Sequence, residues 1–287
     1  MNAPSPVVAA HELGGRLRER RETLGLPAAE VARSARCTPQ FLSQVENGKK
    51  IPAVEKLTAM IARLEFESGE KDELLDLRTQ ATQRGPLAAY SGIFSADLLR
   101  FFGFEYGCES MHSYNGGLIH GLLQTADYAH AVIQSGGARI RQAEVDRRVQ
   151  ARLVRQQRLI NPDPLALSVV MSEAAIRQQV GGRQVLARQL AHLVEQIEAH
   201  RPRLQVRVIP FTDAGHPVLG TPTFHLFGFP STRLPDLVWL DTVTGMELVD
   251  DPTAVHEHHL AHVAATDAAL DVVDSASLIK QAAQELG

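Results

Sequence analysis

Residues 25–52 read GLPAAEVARSARCTPQFLSQVENGKKIP, and this stretch decides the fold of the chain's first third. Leu26-Pro27 breaks and restarts the chain, because proline suits the first turn of a helix. Val31 and Ala32 give that helix a small apolar face. Thr38-Pro39 repeats the start signal, a hydroxyl cap followed by proline at the first helical position. The helix so opened carries Phe41, Leu42 and Val45 inward and stops at Asn47-Gly48, a pair that tolerates the left-handed backbone. Only the short turn around Ala35-Arg36-Cys37 separates the two helices. They therefore cross steeply, and the second is pushed outward, where it can enter a major groove. Thr38, Gln40, Ser43 and Gln44 fall on the face opposite its apolar residues. Hydroxyls and amides both donate and accept, as base-edge readout requires. Asn47, Lys49 and Lys50 follow at once and suit phosphates, as do Arg16 and Arg20 upstream.

On either side of this stretch the pattern stays helical. Leu13, Leu17 and Leu24 share one stripe; Pro52 opens a further helix with Val54, Leu57, Met60, Ile61 and Leu64 at core spacing. A fifth helix runs over about 70–82 with Leu74, Leu75 and Leu77, and Gln83 to Pro86 ends the series. The expected organisation is a flexible N-terminus over 1–10, an all-α, lambda repressor-like helix-turn-helix domain over 11–82, a linker over 83–95 and a second domain over 96–287. In that second domain, helices are expected over about 95–112, 122–135, 141–160, 183–200 and 252–270. Apolar runs of strand length fall at 165–171, 204–209, 224–229 and 237–240. Helices interleave with strands, so a mixed α/β (α+β) domain is expected.

Composition narrows the function. The 287 residues carry a net charge of −4, yet residues 14–50 hold eight Lys and Arg against four acids. That asymmetry runs in the direction nucleic acid demands. Cys37 and Cys108 form no CxxC spacing, which argues against a disulfide scaffold or a cysteine-rich zinc site. The N-terminal residues lack the basic and apolar regions of a secretory signal, and no apolar run reaches ~18 residues. A cytoplasmic protein without a membrane span is the expectation.

Residues 25–52 resemble the XRE-type (Cro/repressor-like) helix-turn-helix family. The match runs through Leu26, Val31-Ala32, Thr38, Phe41-Leu42-Ser43, Val45 to Lys49, and Pro52. Ala28 stands where the family often has a Gln that helps clamp DNA. Arg36 replaces the common turn glycine, which calls for left-handed strain at that residue or a different turn. A second pattern begins at IHGLLQT, residues 119–125, followed by Asp127-Tyr128-Ala129. It is similar to the "iPGLLQTxxYA" mark of a C-terminal domain found in many actinobacterial XRE regulators, with His120 in place of the proline. Arg152 to Gln156, Ser172 to Ile176, Val180-Gly181, Gln189-Leu190, Val208 to Phe211 and Ser275 to Ile279 continue the series. The resemblance implies antitoxin-like or developmental regulators, often encoded beside a small partner, and a domain that senses a ligand or that partner. Leu122, Gln124, Tyr128, Arg152 and Arg155 are the candidate ligand- or partner-binding residues.

Other features are weighed against plainer readings. Arg141, Arg147, Arg148, Arg152, Arg155 and Arg158 stripe one stretch, which fits an extended DNA footprint or acidic-partner grip less well than a solvated or internally paired face. His258 and His262 lie i, i+4 beside His256 and His259, but HEHHLAH departs from H-E-x-x-H at Leu260, so no metal site is expected. No G-x-S-x-G, P-loop or G-x-G-x-x-G occurs; the chain is read as a non-enzyme without a cofactor. The expected function is a sequence-specific regulator that binds a double-stranded DNA operator as a homodimer. Its C-terminal domain would dimerise and receive a small-molecule effector or a small neighbour-encoded protein. The alternative is an antitoxin-like module that sequesters that partner and binds DNA only for autoregulation.

Overall fold

In the computed structural model of the chain, residues 5–136, 141–213, 215, 216, 218–242 and 245–287 are described. The described backbone divides into two compact units, the first holding residues 5–88 with Ser231–Leu234, the second holding Ala89–Pro230 and Pro235–Gly287.

Among the described residues the first unit is a set of five helices: α1 (Pro6–Thr23), α2 (Ala28–Ser34), α3 (Pro39–Glu46), α4 (Val54–Arg63) and α5 (Ser68–Ala81). Its core gathers Leu13 and Leu17 of α1, Val31 and Ala32 of α2, Leu42 and Val45 of α3, Leu57, Met60 and Ile61 of α4, and Leu74 of α5. The flexible N-terminus expected over 1–10 is helical from Pro6 onward; residues 1–4 lie outside the described residues. Proline at the first position and a hydrogen bond from Val8 N–H to Ser5 Oγ set that start, and Ala9 and Ala10 pack on Ala81. The 83–95 stretch, expected as a linker, is partly ordered: Ala88–Ile93 wind into a 3-10 helix and Ile93 is buried. α2 closes on Arg36 at φ +49°, where the expected left-handed strain sits. Cys37 N–H then reaches Ala32 O at 2.9 Å, satisfying a carbonyl that the helix end would leave open.

The second unit is built on one six-stranded sheet: β1 (Ser110–Asn115), β2 (Ala166–Ser172), β3 (Leu204–Ile209), β4 (Phe224–Gly228), β5 (Leu237–Thr242) and β6 (Gly245–Val249). The strand order is β3-β2-β1-β4-β5-β6. β1, β2 and β3 run parallel; β4, β5 and β6 continue antiparallel, so the sheet is mixed. Long crossovers join the parallel strands. One contains α7 (Ala126–Ser135) and α8 (Gln142–Gln156); the other contains α9 (Ala174–Arg177) and α10 (Arg183–Ala199). α6 (Ala96–Gly107) precedes β1, and α11 (Pro252–Ala268) and α12 (Val272–Leu286) end the chain. Alternation along the central strands sends Tyr114, Phe224, Leu226 and Val238 into a core shared with Val255 and Ala265 of α11. The opposite face carries Ser113, His225, Phe227 and Trp239, with the Phe101 ring of α6 packed against His225, Phe227 and Trp239.

β1 is a departure from expectation. SMHSYN was expected to fall in a helix ending near 112 and the turn beyond it; it is instead the strand at the centre of the sheet. Its Ser, His and Asn side chains break the apolar pattern by which a buried strand is read. β6 and α12 were likewise not anticipated.

Candidate functional site

In the first unit, α3 begins at a cap: Phe41 N–H donates to Thr38 Oγ1 at 3.1 Å, leaving the Thr38 hydroxyl proton free to donate. Thr38, Gln40 and Ser43 are exposed and Gln44 half-buried, while Leu42 and Val45 are buried beneath them. Lys49 and Lys50 are exposed directly after the helix, and both of their backbone N–H groups close onto Gln44 O, at 2.8 and 3.1 Å. One polar face, with two lysines at its end, is thus presented on a helix whose other side is core.

What fixes α3 is its approach to α1. A Cβ on Gly14 would lie 2.3 Å from Val45 O, so the two backbones meet with no room for a side chain. Gly48 has φ +65°, and a Cβ there would fall 2.8 Å from His11 Cα. Arg21 adds a bidentate clamp, with Nε to Glu46 Oε1 at 2.6 Å and Nη2 to Oε2 at 3.0 Å.

Three expected phosphate ligands are instead engaged inside the unit. Arg16 is buried, its guanidinium 2.9 Å from Glu73 and 3.8 Å from Glu70. Arg20 donates to Leu64 O and Glu65 O at 3.0 and 2.9 Å and lies over the Phe66 ring. A long side chain on a core-facing position covers apolar surface and finds the nearest acceptor, and composition alone does not reveal this. Asn47 Nδ2 turns back to Ser43 O at 2.7 Å. Exposed Arg33 and Arg36 lie on and just after α2, and Lys56 sits over the Phe41 ring; none had been assigned a role. The sequence signal for Arg33 and Arg36 was the local positive charge of residues 14–50; Lys56 lies outside that stretch.

In the second unit, residues 119–125 do not start α7 but make a short 3-10 turn, Gly121–Leu123, before Thr125 caps the helix. Buried amides lock the turn: Gln189 Nε2 donates to Leu123 O and its Oε1 accepts Thr125 N–H, both at 2.7 Å; Gln124 Nε2 donates to Ile119 O at 2.7 Å. Of the expected ligand residues, Leu122 and Tyr128 are core, 2% and 0% exposed, because apolar bulk at a turn packs inward. Gln124, Arg152 and Arg155 do meet, along one side of a cavity of about 410 Å³.

The arginine stripe is internally engaged from Arg147 onward, while Arg141 is exposed. Arg155 grips Glu105 bidentately, both bonds 2.7 Å, and stacks on Phe102 with 4.1 Å from guanidinium carbon to ring centre. Arg158 donates to the Tyr106, Cys108 and Asp163 carbonyls, and Arg148 to Ile93 O at 2.6 Å. Arg152 donates to the neutral Gln124 Oε1, and burial, then Arg155, pulls its guanidinium down to about 10.

Two histidines that sequence reasoning left unassigned also line the cavity, His120 and His225, with ring centres 5.3 Å apart. Leu122 N–H donates to His120 Nδ1 at 3.2 Å, so Nε2 carries that ring's proton. Ser113 donates to Asn115 Oδ1 at 2.8 Å and faces His225 Nδ1 at 2.9 Å, which leaves Nδ1–H of His225 to donate. Burial holds both rings neutral: His225 falls to about 3, and His120 moves well down in the same direction. The C-terminal histidines disperse. His258 bonds Ala254 O, His259 bonds Asp236 at 2.9 Å, and His262 is buried against the His112 ring. Among the described residues no group of three or more His, Cys, Asp or Glu is placed to hold a metal ion.

A helix-turn-helix domain profile matches residues 12–74. The first unit is therefore a helix-turn-helix domain, which supports a DNA-binding regulator. The profile described as Domain of unknown function (DUF5753) matches residues 98–281, well over half of the chain. The chain belongs to the DUF5753 family. No curated protein and no solved structure matches it. Among the described residues no helix is long and apolar enough to cross a membrane.

Proposed function

We propose that the protein is a sequence-specific, XRE-type transcriptional regulator that acts in the cytoplasm as a homodimer. The observation that carries this reading is the exposed polar face of α3, with Thr38, Gln40, Ser43 and Gln44 to read base edges and Lys49 and Lys50 to hold phosphates. A single such helix spans too few base pairs for an operator, and two-fold pairing doubles the reading. The second unit contributes dimerisation and receives a signal, a small molecule or a neighbour-encoded protein. That signal acts by binding two conformations with different affinity. On this reading the protein is not an enzyme and requires no cofactor.

The test is selection of a preferred duplex from random DNA with the purified chain, followed by fluorescence anisotropy on that duplex and a scrambled one at several salt concentrations. Preference for the selected duplex is expected; equal affinity for both would overturn the reading.

A further inference from the structure

The cavity in the second unit is lined by two kinds of residue. Phe94, Leu98, Phe101, Phe102 and Ile133 are apolar; Arg152, Gln124, His120 and His225 are polar. Its volume of about 410 Å³ lies in the range of small-molecule sites. The charges on the polar lining are unevenly paired. Arg155 is matched by Glu105, whereas Arg152, three residues earlier on α8, bonds an uncharged amide and sits in no ion pair among the described residues. That bond uses one of five guanidinium N–H donors. Arg148, which also lines the cavity, has Glu144 at 3.6 Å, though its buried Nε finds no acceptor among the described residues. A half-buried cation outside any ion pair is costly, and an anion entering the cavity would relieve that cost.

We infer that this cavity binds a small organic monocarboxylate with an apolar ring, the carboxylate held by Arg152 and the ring packed against Phe94, Phe101 and Phe102. The inference deepens the signal-receiving half of the proposed function and rests on it for its role, though not for its chemistry. A single negative charge suits the site better than a phosphate dianion. Arg155 is already neutralised, and Asp241 on the lining adds a negative charge of its own. The planar fork of Arg152 matches a carboxylate through two parallel bonds. His120 and His225, both neutral, retain an Nε2–H donor and an Nε2 lone pair, suited to a hydroxyl or amide substituent. His120 stands where the resembling pattern has proline, so its ring is a departure of the present chain from that pattern.

Ligand-observed saturation-transfer NMR on the full chain tests this, with benzoate, 3-phenylpropionate and indole-3-acetate as probes and benzamide and inorganic phosphate as comparators. Transfer from the carboxylates but not from benzamide is expected. Arg152→Met should weaken it about tenfold to a hundredfold, the loss expected for a hydrogen-bonded charge. Arg152→Lys, which keeps the charge and guards against misfolding of the first variant, should lose less. Four results would overturn the inference: no transfer from any of the three carboxylates, equal transfer from benzamide, displacement by equimolar phosphate, or undiminished affinity in a folded Arg152→Met chain. Operator anisotropy on the same samples reads the DNA-binding proposal separately, so either can fail while the other stands.

Discussion

Both units tie helices down with inward-turned arginines, some held by carboxylates and some by backbone carbonyls, and they differ at Arg152. In the first, Arg21 meets Glu46 and Arg16 meets Glu73, and exposed lysines follow the recognition helix. In the second, Arg155 meets Glu105 and Arg158 meets backbone carbonyls, but Arg152 is left with a glutamine inside a cavity. A matched buried pair adds little net stability over apolar packing, yet it fixes geometry strongly because neither partner tolerates loss of the other. The contrast teaches that arginine counts along a helix do not identify a binding surface. What matters is which guanidinium has an internal anion.

The sharpest way to break that comparison is to remove an anion. Glu105→Ala strands Arg155, whose side chain is 8% exposed, and should cost about 3–5 kcal/mol in urea unfolding. Glu46→Ala should act in the same direction, somewhat less, because the Arg21 side chain is 14% exposed. A neutral outcome at both sites would mean that the pairs do not hold the folds.

Acid probes the second unit through its neutral imidazoles. Burial lowers His225 to about 3 and His262 to about 4, against an unfolded value near 6.5. Below pH 6.5 the unfolded chain takes up protons that the folded chain refuses. Stability is therefore retained above that pH and falls as acid is added, by about 1.4 kcal/mol per pH unit for each histidine until the folded value is reached. Urea titrations between pH 7 and 5 should show this slope, and His262→Gln should reduce it by one proton. An identical slope in the variant would mean that His262 is not held neutral.

On the DNA side, Gln44→Ala should reduce discrimination between the selected and scrambled duplex by ~1–3 kcal/mol if its contact is bidentate. Equal weakening on both would reassign it to the backbone. The smallest effect separates the two kinds of cation within the first unit. Lys49→Ala should lower the salt dependence of binding by about one ion, whereas Arg16→Met should lower the melting temperature and leave that slope alone. The reverse pattern would exchange their roles.

The helix-turn-helix was legible because every local signal agreed: proline after a hydroxyl cap, Asn47-Gly48 at the stop, and apolar residues at helical spacing. In the second unit β2, β3, β4 and β5 lie close to their expected runs, since apolar strands announce themselves. The cavity did not. Its lining draws single residues from four strands, Asn115, His225, Asp241 and Met246, and its histidines lie 105 positions apart in sequence, brought together by the pairing of β1 with β4 and the turn after β1. Arg16 and Arg20 were misread for a related reason: their acceptors, Glu73 and the Leu64 carbonyl, sit on distant turns of the chain.

The bare main-chain contact at Gly14 and Gly48 has a mechanical consequence. With backbone pressed on backbone and no cushioning side chain between, the reading helix has no hinge of its own. On the proposed function, whatever turns operator affinity up or down must carry, or mask, the whole set of the first unit's described helices at once.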